Sequence, residues 1–203
     1  MKCSFSYERR LKRKGYKILI GVDEAGRGSL AGPVVAAAIV LSKVTFKNRI
    51  DDSKRLTPQQ RYKAFLEITQ KSLYGLGILN EKIIDHYNIF VATRLAMERA
   101  IEQLLDRLTP ANKRDIHILI DGNVRPAISL AYTNIIKGDS VSKTVACASI
   151  VAKVVRDRIM SMYDKVYPCY GFSRHKGYAT VGHRDVLRRL GVCDIHRRSF
   201  CCV

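Results

Sequence analysis

Two adjacent carboxylates, Asp23 and Glu24, follow an apolar run at residues 18–20 and are followed at once by Gly26-Arg27-Gly28. A carboxylate at the point where a strand meets its loop can hold a divalent metal ion. Glycines let another backbone come close, and an arginine between them can bind a phosphate. Metal ligands and a phosphate contact within eight residues indicate phosphodiester chemistry. For this octet alone, a strand end followed by an ordinary polar turn is the alternative.

Two further acids lie at predicted strand ends much later in the chain. Asp121 follows the apolar run 116–120, and Asp139 follows a predicted strand at 131–136. In an open α/β sheet the ends of adjacent strands form the usual ligand crevice, so these acids can converge with Asp23 and Glu24. Each acid taken singly could instead be a helix cap or a turn residue. The four together, at strand ends of a basic protein, favour a metal site.

The predicted chemistry of such a site is two-metal-ion hydrolysis of a phosphodiester. Converging carboxylates repel one another, and a cation relieves that repulsion. Two ions about 4 Å apart would neutralise the acids, one activating water and the other stabilising the leaving oxygen. Hard oxygen ligands accept both Mg²⁺ and Mn²⁺, so the sequence predicts either ion as the cofactor.

The charge of the chain favours a polyanionic partner. The 36 lysines and arginines outnumber the 18 aspartates and glutamates, which gives a formal net charge of +18. Much of this excess lies at the ends, because residues 1–17 contribute +6 and residues 141–203 contribute +8. A basic surface around an acidic cluster suits a nucleic acid that is held electrostatically while metal ions act on it. Net charge alone also fits a generally basic protein, such as a ribosome-associated one.

The cysteines and the N-terminus predict a cytoplasmic protein. The chain has six cysteines and five histidines, without a Cys-x-x-Cys pair or zinc-like spacing, so we expect reduced thiols. The first residues form no long apolar run, which argues against a signal peptide. No stretch reaches the length that spans a membrane. A monomer is the default expectation.

Strands and helices alternate along the chain, which predicts one α/β layered domain. Thr57 and Pro58 provide a helix start with a capping box. Asn88 is predicted to cap a long amphipathic helix that ends at Thr109-Pro110, and Ser140 to cap a helix over 141–163. The C-terminal segment is predicted to be basic and helical. Strands are expected at residues 16–22, 33–41, 73–79, 116–120 and 131–136.

Motifs in order along the chain resemble ribonuclease HII, a type 2 ribonuclease H family. The first is GVDEAGRGSLAGPVVAAA, which begins at Gly21. The others are Asp52-Ser53-Lys54, Asp121-Gly122-Asn123, Gly138-Asp139-Ser140, ASIVAK from Ala148 with Arg156-Asp157, Tyr167-Pro168, Lys176-Gly177-Tyr178 with His183, and His196-Arg197-Arg198-Ser199-Phe200. Together they cover roughly residues 16–200. The departures are mild: Ser29 stands where proline is frequent and Cys147 where alanine is usual.

The resemblance implies a ribonuclease H-like mixed sheet flanked by helices, forming a single domain over residues 1–203. About 16–165 would be the catalytic core and about 166–203 a C-terminal substrate-binding segment. The implied activity is an endoribonuclease that hydrolyses the RNA strand of RNA/DNA hybrids and ribonucleotides embedded in duplex DNA. Water as the nucleophile predicts 3′-hydroxyl and 5′-phosphate ends.

The resemblance also implies roles for individual residues. Gly26, Arg27 and Gly28 would read the ribonucleotide at the RNA–DNA junction, and Tyr178 would pack against it. A 2′-hydroxyl distinguishes RNA from DNA, and residues without side chains let a backbone approach it. Without the resemblance, a buried core tyrosine would fit Tyr178 equally well. The metal-binding and catalytic acids would be Asp23, Glu24, Asp121 and Asp139.

Basic residues are predicted to hold the nucleic-acid backbone. Lysine is usually only a solvated charge, so these assignments are the least specific. In the C-terminal segment, Arg188, Arg189, Arg197 and Arg198 are expected to carry salt-dependent binding, with structural pairing to acids such as Asp185 and Asp194 as the alternative. His183 fits a structural role as well as one in product release, and is left out of the catalytic set. The phosphate-binding candidates are Lys54, Lys143, Lys153 and Lys176.

Three alternatives stay open at this point. Ribonuclease HIII shares the acids but usually has a different glycine turn and an added N-terminal domain. A non-catalytic nucleic-acid-binding protein would explain the charge but not the four acids. A metal-dependent nuclease of the same fold acting on DNA alone, such as an integrase-like enzyme, would not need the Gly-Arg-Gly turn. No sliding-clamp docking motif is evident after Ser199-Phe200.

Overall fold

A five-stranded mixed sheet lies at the centre of the structure, a computed structural model that describes residues 3–108 and 112–200. The strand order in the described residues is β3-β2-β1-β4-β5. Strand β2 pairs antiparallel with β1 and β3, whereas β4 runs parallel to β1 and to β5. The strands are β1 (Ile18–Ala25), β2 (Val34–Leu41), β3 (Ser72–Leu79), β4 (Ile116–Asp121) and β5 (Ala131–Ile135). The predicted mixed sheet is therefore confirmed.

Helices cover both faces of this sheet. Alternate residues of β2 face opposite sides, so Ala36 and Ala38 pack with α3 while Ala37 and Ile39 pack with α2 and α4. The predicted β3 is present, and its Gly75 lies where a Cβ would collide with backbone atoms of α3. The absence of a side chain there lets helix and strand approach closely. The helices are α1 (Ser6–Arg13), α2 (Pro58–Gln70), α3 (Glu81–Leu105), α4 (Lys143–Val166), α5 (Phe172–His175) and α6 (Val181–Leu190).

Helix α3 begins earlier than predicted and has a kink where its start was expected. Asn80 caps the helix, and Asn88 has non-helical backbone angles of φ 69° and ψ 166° inside it. The Asn88 side chain still accepts hydrogen bonds from the backbone N–H groups of Phe90 and Val91, so it caps the second part of the helix as predicted. The predicted stop at Thr109-Pro110 lies outside the described residues.

Helix α4 is capped by Ser142, and the prediction of Ser140 as its cap is wrong. Residues Gly138–Ser140 form a 3-10 turn. Val141 and Ser142 both donate backbone hydrogen bonds to Gly138, which delays the helix by two residues. The Ser142 side chain then accepts from the backbone of Val145. The predicted capping box at Thr57 is confirmed.

Both terminal segments return to the centre of the structure. Helix α1 was not predicted, and its Glu8 accepts hydrogen bonds from Ser142 and Thr144 at the start of α4. The C-terminal segment is helical, as predicted, and its Tyr178 and His196 form β-bridges to the loop after β1. None of the helices described is long and apolar enough to cross a membrane.

Candidate active site

A cavity of about 580 Å³ lies at the ends of β1 and β4, and all four predicted acids line it. The parallel strands bring them together, since Asp23 and Glu24 lie near the end of β1 and Asp121 is the last residue of β4. Asp139 lies in the 3-10 turn that follows β5. The Gly138 backbone N–H donates to the Asp121 carboxylate at 2.6 Å, which fixes this turn beside β4.

Three of the acids form a tight group. Asp23, Glu24 and Asp121 each offer a carboxylate oxygen within 4.8 Å of the others. Asp139 is not part of this triad, although it lines the same cavity. The site therefore consists of a close triad with a fourth acid beside it.

Burial raises the pKa of every acid in the cluster, and repulsion from neighbouring carboxylates adds to the rise at Asp23, Glu24 and Asp139. Burial raises the pKa of Asp23 well above its usual value, and Glu24 and Asp121 raise it further. Burial is the largest cause for Glu24 and Asp121 as well, with Arg27 opposing it at Glu24. For Asp139, burial and then Asp121 raise the pKa to about 6. Gathering these carboxylates destabilises the fold when all are ionised.

The donor set fits hard divalent cations. Glu24 Oε2 is buried and has no hydrogen-bond partner among the described residues. A buried carboxylate oxygen without a partner is costly unless a ligand satisfies it. Closely spaced carboxylate oxygens are the ligands that Mg²⁺ and Mn²⁺ prefer. The residues present therefore match the predicted metal centre.

The loop Gly26–Gly28 forms one wall of the cavity. Gly26 has φ +98°, and a Cβ there would collide with Arg156, so the protein itself requires glycine at this position. Gly28 is exposed, and a Cβ on it would meet nothing within 4 Å. Between them Arg27 lies 3.3 Å from Glu24 and 5.4 Å from the centre of the Phe90 ring. The lack of a side chain at Gly28 thus leaves open space on the outer surface of the loop.

Arg197, a fully buried arginine from the C-terminal segment, holds this loop. From the sequence it was expected to contact nucleic acid. Arg197 is 0% exposed and donates to the carbonyl oxygens of Gly26, Arg27 and Gly32 at 2.7–2.9 Å. Its predicted contact with nucleic acid is therefore wrong, since its side chain is fully buried and its guanidinium donates to carbonyl groups inside the protein. Nothing in the residue type distinguishes it from the exposed Arg198 beside it.

Arg156 on α4 is a second buried arginine behind the loop, and sequence analysis gave it no role. It is also 0% exposed. It donates to the carbonyl oxygens of Pro33 and Lys176 at 2.9 and 3.0 Å and to the Ser29 hydroxyl at 2.7 Å. Only its presence in a motif of the ribonuclease HII pattern could have indicated from the sequence that Arg156 has a role at the site.

Tyr178 lines the cavity and is half-buried, and its predicted contact with the ribonucleotide stays a prediction. Its ring centre lies 5.3 Å from both Lys153 Nζ and the Arg156 guanidinium carbon. His183 is buried behind it, with Nδ1 3.0 Å from the Tyr178 carbonyl oxygen and Nε2 3.1 Å from His196. Burial lowers the pKa of His183 to about 4. A neutral, internally bonded imidazole fits the structural role, one of the two considered for His183 from the sequence.

The four candidate lysines divide into two pairs. Lys54 and Lys153 line the cavity. Lys143 donates to the carbonyl oxygen of Ile50 at 2.6 Å, and Lys176 donates to the Ser161 hydroxyl at 2.7 Å. Neither of these two lies among the lining residues. The structure thus brings only the first pair to the acids.

Two serines at the site were not singled out from the sequence. Ser53 and Ser149 line the cavity, and their hydroxyl oxygens lie 3.0 Å apart. A hydrogen bond from Ser149 to Asp23 partly offsets the rise in the pKa of that carboxyl. Both serines lie in motifs of the ribonuclease HII pattern, and this position in the motifs could have indicated from the sequence that they belong to the site.

Comparisons with known proteins agree with this geometry. Residues 20–203 match the family model described as Ribonuclease HII. A ribonuclease HII from Pseudothermotoga lettingae is 48% identical over 97% of this chain and 82% of that protein. The crystal structure of ribonuclease H2 from Pyrococcus horikoshii is 26% identical, with a TM-score of 0.68 over 90% of this chain and 93% of the other. The PCNA:RNase HII complex from Archaeoglobus fulgidus is 22% identical, with a TM-score of 0.71 over 92% and 96%, and shows the likeness of fold.

Proposed function

The chain belongs to the ribonuclease HII family, and on that basis we propose that Asp23, Glu24, Asp121 and Asp139 form its catalytic metal centre. Members of this family are metal-dependent endoribonucleases, and this chain is one that acts on RNA/DNA hybrids. The finer proposal is that it also cuts at single ribonucleotides embedded in duplex DNA. The observation that carries the metal centre is the close triad of one buried and two half-buried carboxylates with an unpartnered oxygen on Glu24.

The acids would hold two Mg²⁺ or Mn²⁺ ions. When bound, such ions supply an activated water and stabilise the charge that develops on the leaving oxygen. The chain's own contribution is to hold its carboxylates rigidly at strand ends. Asp121 is oriented by the backbone N–H of Gly138, and Asp23 accepts a 2.7 Å hydrogen bond from the backbone of Glu24. Such preorganisation avoids rearrangement during the reaction.

Recognition of the ribonucleotide is proposed for Gly26, Arg27, Gly28 and Tyr178. The exposed, unobstructed Gly28 would let the substrate backbone approach, so that backbone polar groups of the loop can contact a 2′-hydroxyl. Arg27 is partly exposed and would bind a neighbouring phosphate. Lys54 and Lys153, which line the cavity, would contact phosphates beside it. The phosphate roles of Lys143 and Lys176 stay predictions.

The decisive experiment compares two duplexes that differ by one atom. A DNA duplex with one embedded ribonucleotide should be cut at that position in Mg²⁺, while its all-DNA twin should remain intact. We expect 3′-hydroxyl and 5′-phosphate ends and complete loss of cleavage with a chelator. Asp121→Asn should abolish cleavage and leave substrate binding largely intact, because the amide keeps the shape but loses the charge that holds metal.

Several outcomes would contradict this function. Equal cutting of both duplexes would indicate a nuclease without ribonucleotide recognition. A 2′,3′-cyclic phosphate product would indicate attack by the ribose hydroxyl instead of water. Near-normal turnover of Asp121→Asn in Mg²⁺ would remove that residue from the metal centre.

Four further expectations accompany this function. We propose residues of about 16–165 as the catalytic core and about 166–203 as a substrate-binding segment of one domain. The monomeric state, the cytoplasmic location and the lack of a sliding-clamp motif stay predictions. The PCNA complex concerns the Archaeoglobus protein.

A further inference from the structure

A second cavity lies toward the opposite end of β1 from the acids. Its volume is about 380 Å³, and it is bounded by α1, the start of β1 and the end of β2. None of its lining residues lines the acidic cavity. Leu19 in its wall precedes Asp23 by four residues, which is about 13 Å along a strand. The cavity thus offers space for a small ligand away from the acids.

Glu8 places a buried and only partly satisfied carboxylate in the wall of this cavity. The residue is 5% exposed. Its Oε1 accepts hydrogen bonds from the Ser142 hydroxyl at 2.6 Å and from the Thr144 backbone N–H at 3.0 Å. Its Oε2 is buried and has no hydrogen-bond partner within residues 3–108 and 112–200. Such an oxygen is costly unless a donor reaches it, so the site lacks one donor group.

Two exposed cations also line the cavity. They are Arg9 and Lys12, and neither forms an ion pair within the described part of the chain. Lys12 lies one helical turn after Glu8, a spacing at which opposite charges commonly pair. Here the carboxylate is buried at the start of α4 while the ammonium group stays in solvent. The two cations are therefore available to an anion at the mouth of the cavity.

The surface between the carboxylate and the cations is apolar. It is formed by Leu19, Val40, Leu41 and Val44, and Val44 is 53% exposed. A matching ligand has a hydrogen-bond donor at one end, an apolar body and an anion at the other end. A fatty acid has no such donor and would leave Glu8 Oε2 unsatisfied. A nucleotide with an amino group on its base has all three parts.

The single free oxygen of Glu8 favours adenine among the bases. The hydrogen-bonding edge of adenine carries one donor, its amino group. Guanine presents two neighbouring donors, of which one would stay unsatisfied because Glu8 Oε1 is already occupied. Cytosine also has an amino group, but its single ring covers less apolar surface than a purine does.

We propose that this cavity binds an adenine nucleotide, with the base amino group donating to Glu8 Oε2 and the phosphate bound by Arg9 and Lys12. A free mononucleotide and the terminal nucleotide of a strand share this chemistry. The site is separate from the acids, so the inference goes beyond the proposed function.

The test is isothermal titration calorimetry of the full chain in chelator, so that no metal ion at the acids attracts phosphate. The ligands are AMP, adenosine, purine riboside 5′-monophosphate (which is AMP without the amino group) and a 5′-phosphorylated pentadeoxyadenylate. We expect loss of the amino group to weaken binding by about tenfold or more, because Glu8 Oε2 then loses its donor. Loss of the phosphate should weaken binding by about tenfold as well.

Glu8→Gln tests the carboxylate without removing its bonds to α4. The amide keeps an oxygen for Ser142 and Thr144 but replaces the free acceptor by an N–H donor. AMP should bind this variant about tenfold more weakly, and the difference between AMP and purine riboside 5′-monophosphate should disappear. A purely structural role of Glu8 would not change that ratio, and thermal melting verifies that the variant is folded.

Lys12→Ala tests the phosphate contact. It should weaken AMP binding several-fold and leave adenosine binding unchanged, because adenosine carries no anion. The matched control is Lys14→Ala, which removes the same charge at an exposed residue that does not line the cavity. This control should change the binding of neither ligand.

The outcomes decide both the chemistry and its source. If neither AMP nor the phosphorylated oligonucleotide binds at millimolar concentration, or if the original protein binds AMP and purine riboside 5′-monophosphate equally, the proposal is wrong. Binding of the oligonucleotide alone, lost in Glu8→Gln, would assign the site to a strand end. If Glu8→Gln does not fold, Lys12→Ala decides: equal losses for AMP and adenosine would overturn the phosphate contact and with it the nucleotide site.

Discussion

At the scale of single residues, the acids are the part of the site that the sequence predicted best. Their type and their place after apolar runs were sufficient, because parallel strands bring their ends to one edge of a sheet. The sequence could not show that Asp23, Glu24 and Asp121 form a tighter group than Asp139 does. That difference depends on the direction in which the turn Gly138–Ser140 leaves β5, and this direction is determined by tertiary packing and not by the local sequence.

The raised pKa values at the acids predict how stability depends on pH when metal is removed. The pKa of Asp139 is raised to about 6, so protonation stabilises the fold at low pH and this contribution is lost as the pH rises through 6. In chelator at pH 7.5, Asp139→Asn should therefore raise the melting temperature, while at pH 4.5 it should have little effect. Mn²⁺ should raise the melting temperature of the original protein at pH 7.5 more than that of the variant.

Scanning calorimetry at both pH values measures this effect, with Asp194→Asn as a control on an exposed acid. The control should change neither the chelator baseline nor the response to Mn²⁺. A lower melting temperature for Asp139→Asn in chelator at pH 7.5 would contradict the view that repulsion dominates at this site.

The open space around Gly28 leads to a second prediction at the scale of single residues. A Cβ at Gly28 meets nothing in the protein, so Gly28→Ala should fold with an unchanged melting temperature. The added methyl group would instead obstruct the approach of substrate, and we expect kcat/KM on a single-ribonucleotide duplex to fall by about tenfold or more. Gly182→Ala is the matched control, since a Cβ there is equally unobstructed but lies on α6. Equal kcat/KM for both variants would show that Gly28 does not face the substrate.

At the scale of elements, the C-terminal segment directs neighbouring arginines to different environments. Its helices were predicted from composition, and its basic residues were assigned to one surface. The structure instead turns Arg197 inward, onto the carbonyl groups of the loop Gly26–Gly28, and leaves Arg198 exposed. Neighbouring residues of the same type can differ in this way only through long-range packing, which local sequence does not encode.

Replacing Arg197 should therefore damage the loop and replacing Arg198 should not. Arg197→Ala removes the donor to the carbonyl groups of Arg27 and Gly32, while the Gly26 carbonyl keeps its hydrogen bond from the Ser29 hydroxyl. This loss should destabilise the fold on the order of 3 kcal/mol and strongly reduce cleavage. Arg197→Lys can restore part of the hydrogen bonding, so its stability and its cleavage rate should lie between those of Arg197→Ala and those of the original protein. Chemical denaturation and cleavage kinetics measure both effects, with Arg198→Ala as the control. Full activity and stability of Arg197→Ala would mean that the loop is held without this guanidinium.

At the scale of the whole molecule, acidic residues and a group of basic residues lie at opposite ends of β1 and β4. The acids lie at the C-terminal ends of β1 and β4, and exposed lysine and arginine precede the same strands at Lys17, Lys113 and Arg114. Residues 1–17 contribute +6 and residues 141–203 contribute +8 to the net charge. The sequence predicted a polyanionic partner from this total charge, but only the fold shows which basic residues share a surface with the acids.

This separation predicts which arginines govern the salt dependence of binding. Neutralising one phosphate of B-form DNA contributes about −0.9 to the slope of log K against log salt. The exposed Arg188, Arg189 and Arg198 can contribute such contacts, so their joint replacement by alanine should flatten the slope by up to about 2.7. Arg188 should contribute least, because it already pairs with Asp185 at 2.9 Å. Since the acids remain in place, the position of the cut should not move.

A second triple variant makes this test specific. Replacing Lys17, Lys113 and Arg114 by alanine removes the same formal charge at the opposite ends of β1 and β4. At 3.3 Å per strand residue, these ends lie about 20 Å from the acids. If binding depends on where the charges lie, this variant should leave the slope nearly unchanged while weakening affinity only slightly. Equal flattening by both triples would show that total charge, through the general field of the protein, governs association. An unchanged slope for the C-terminal triple would remove its arginines from the substrate-binding surface. That segment would then contribute to the site through Tyr178, which lines the cavity, and through Arg197, which holds the loop.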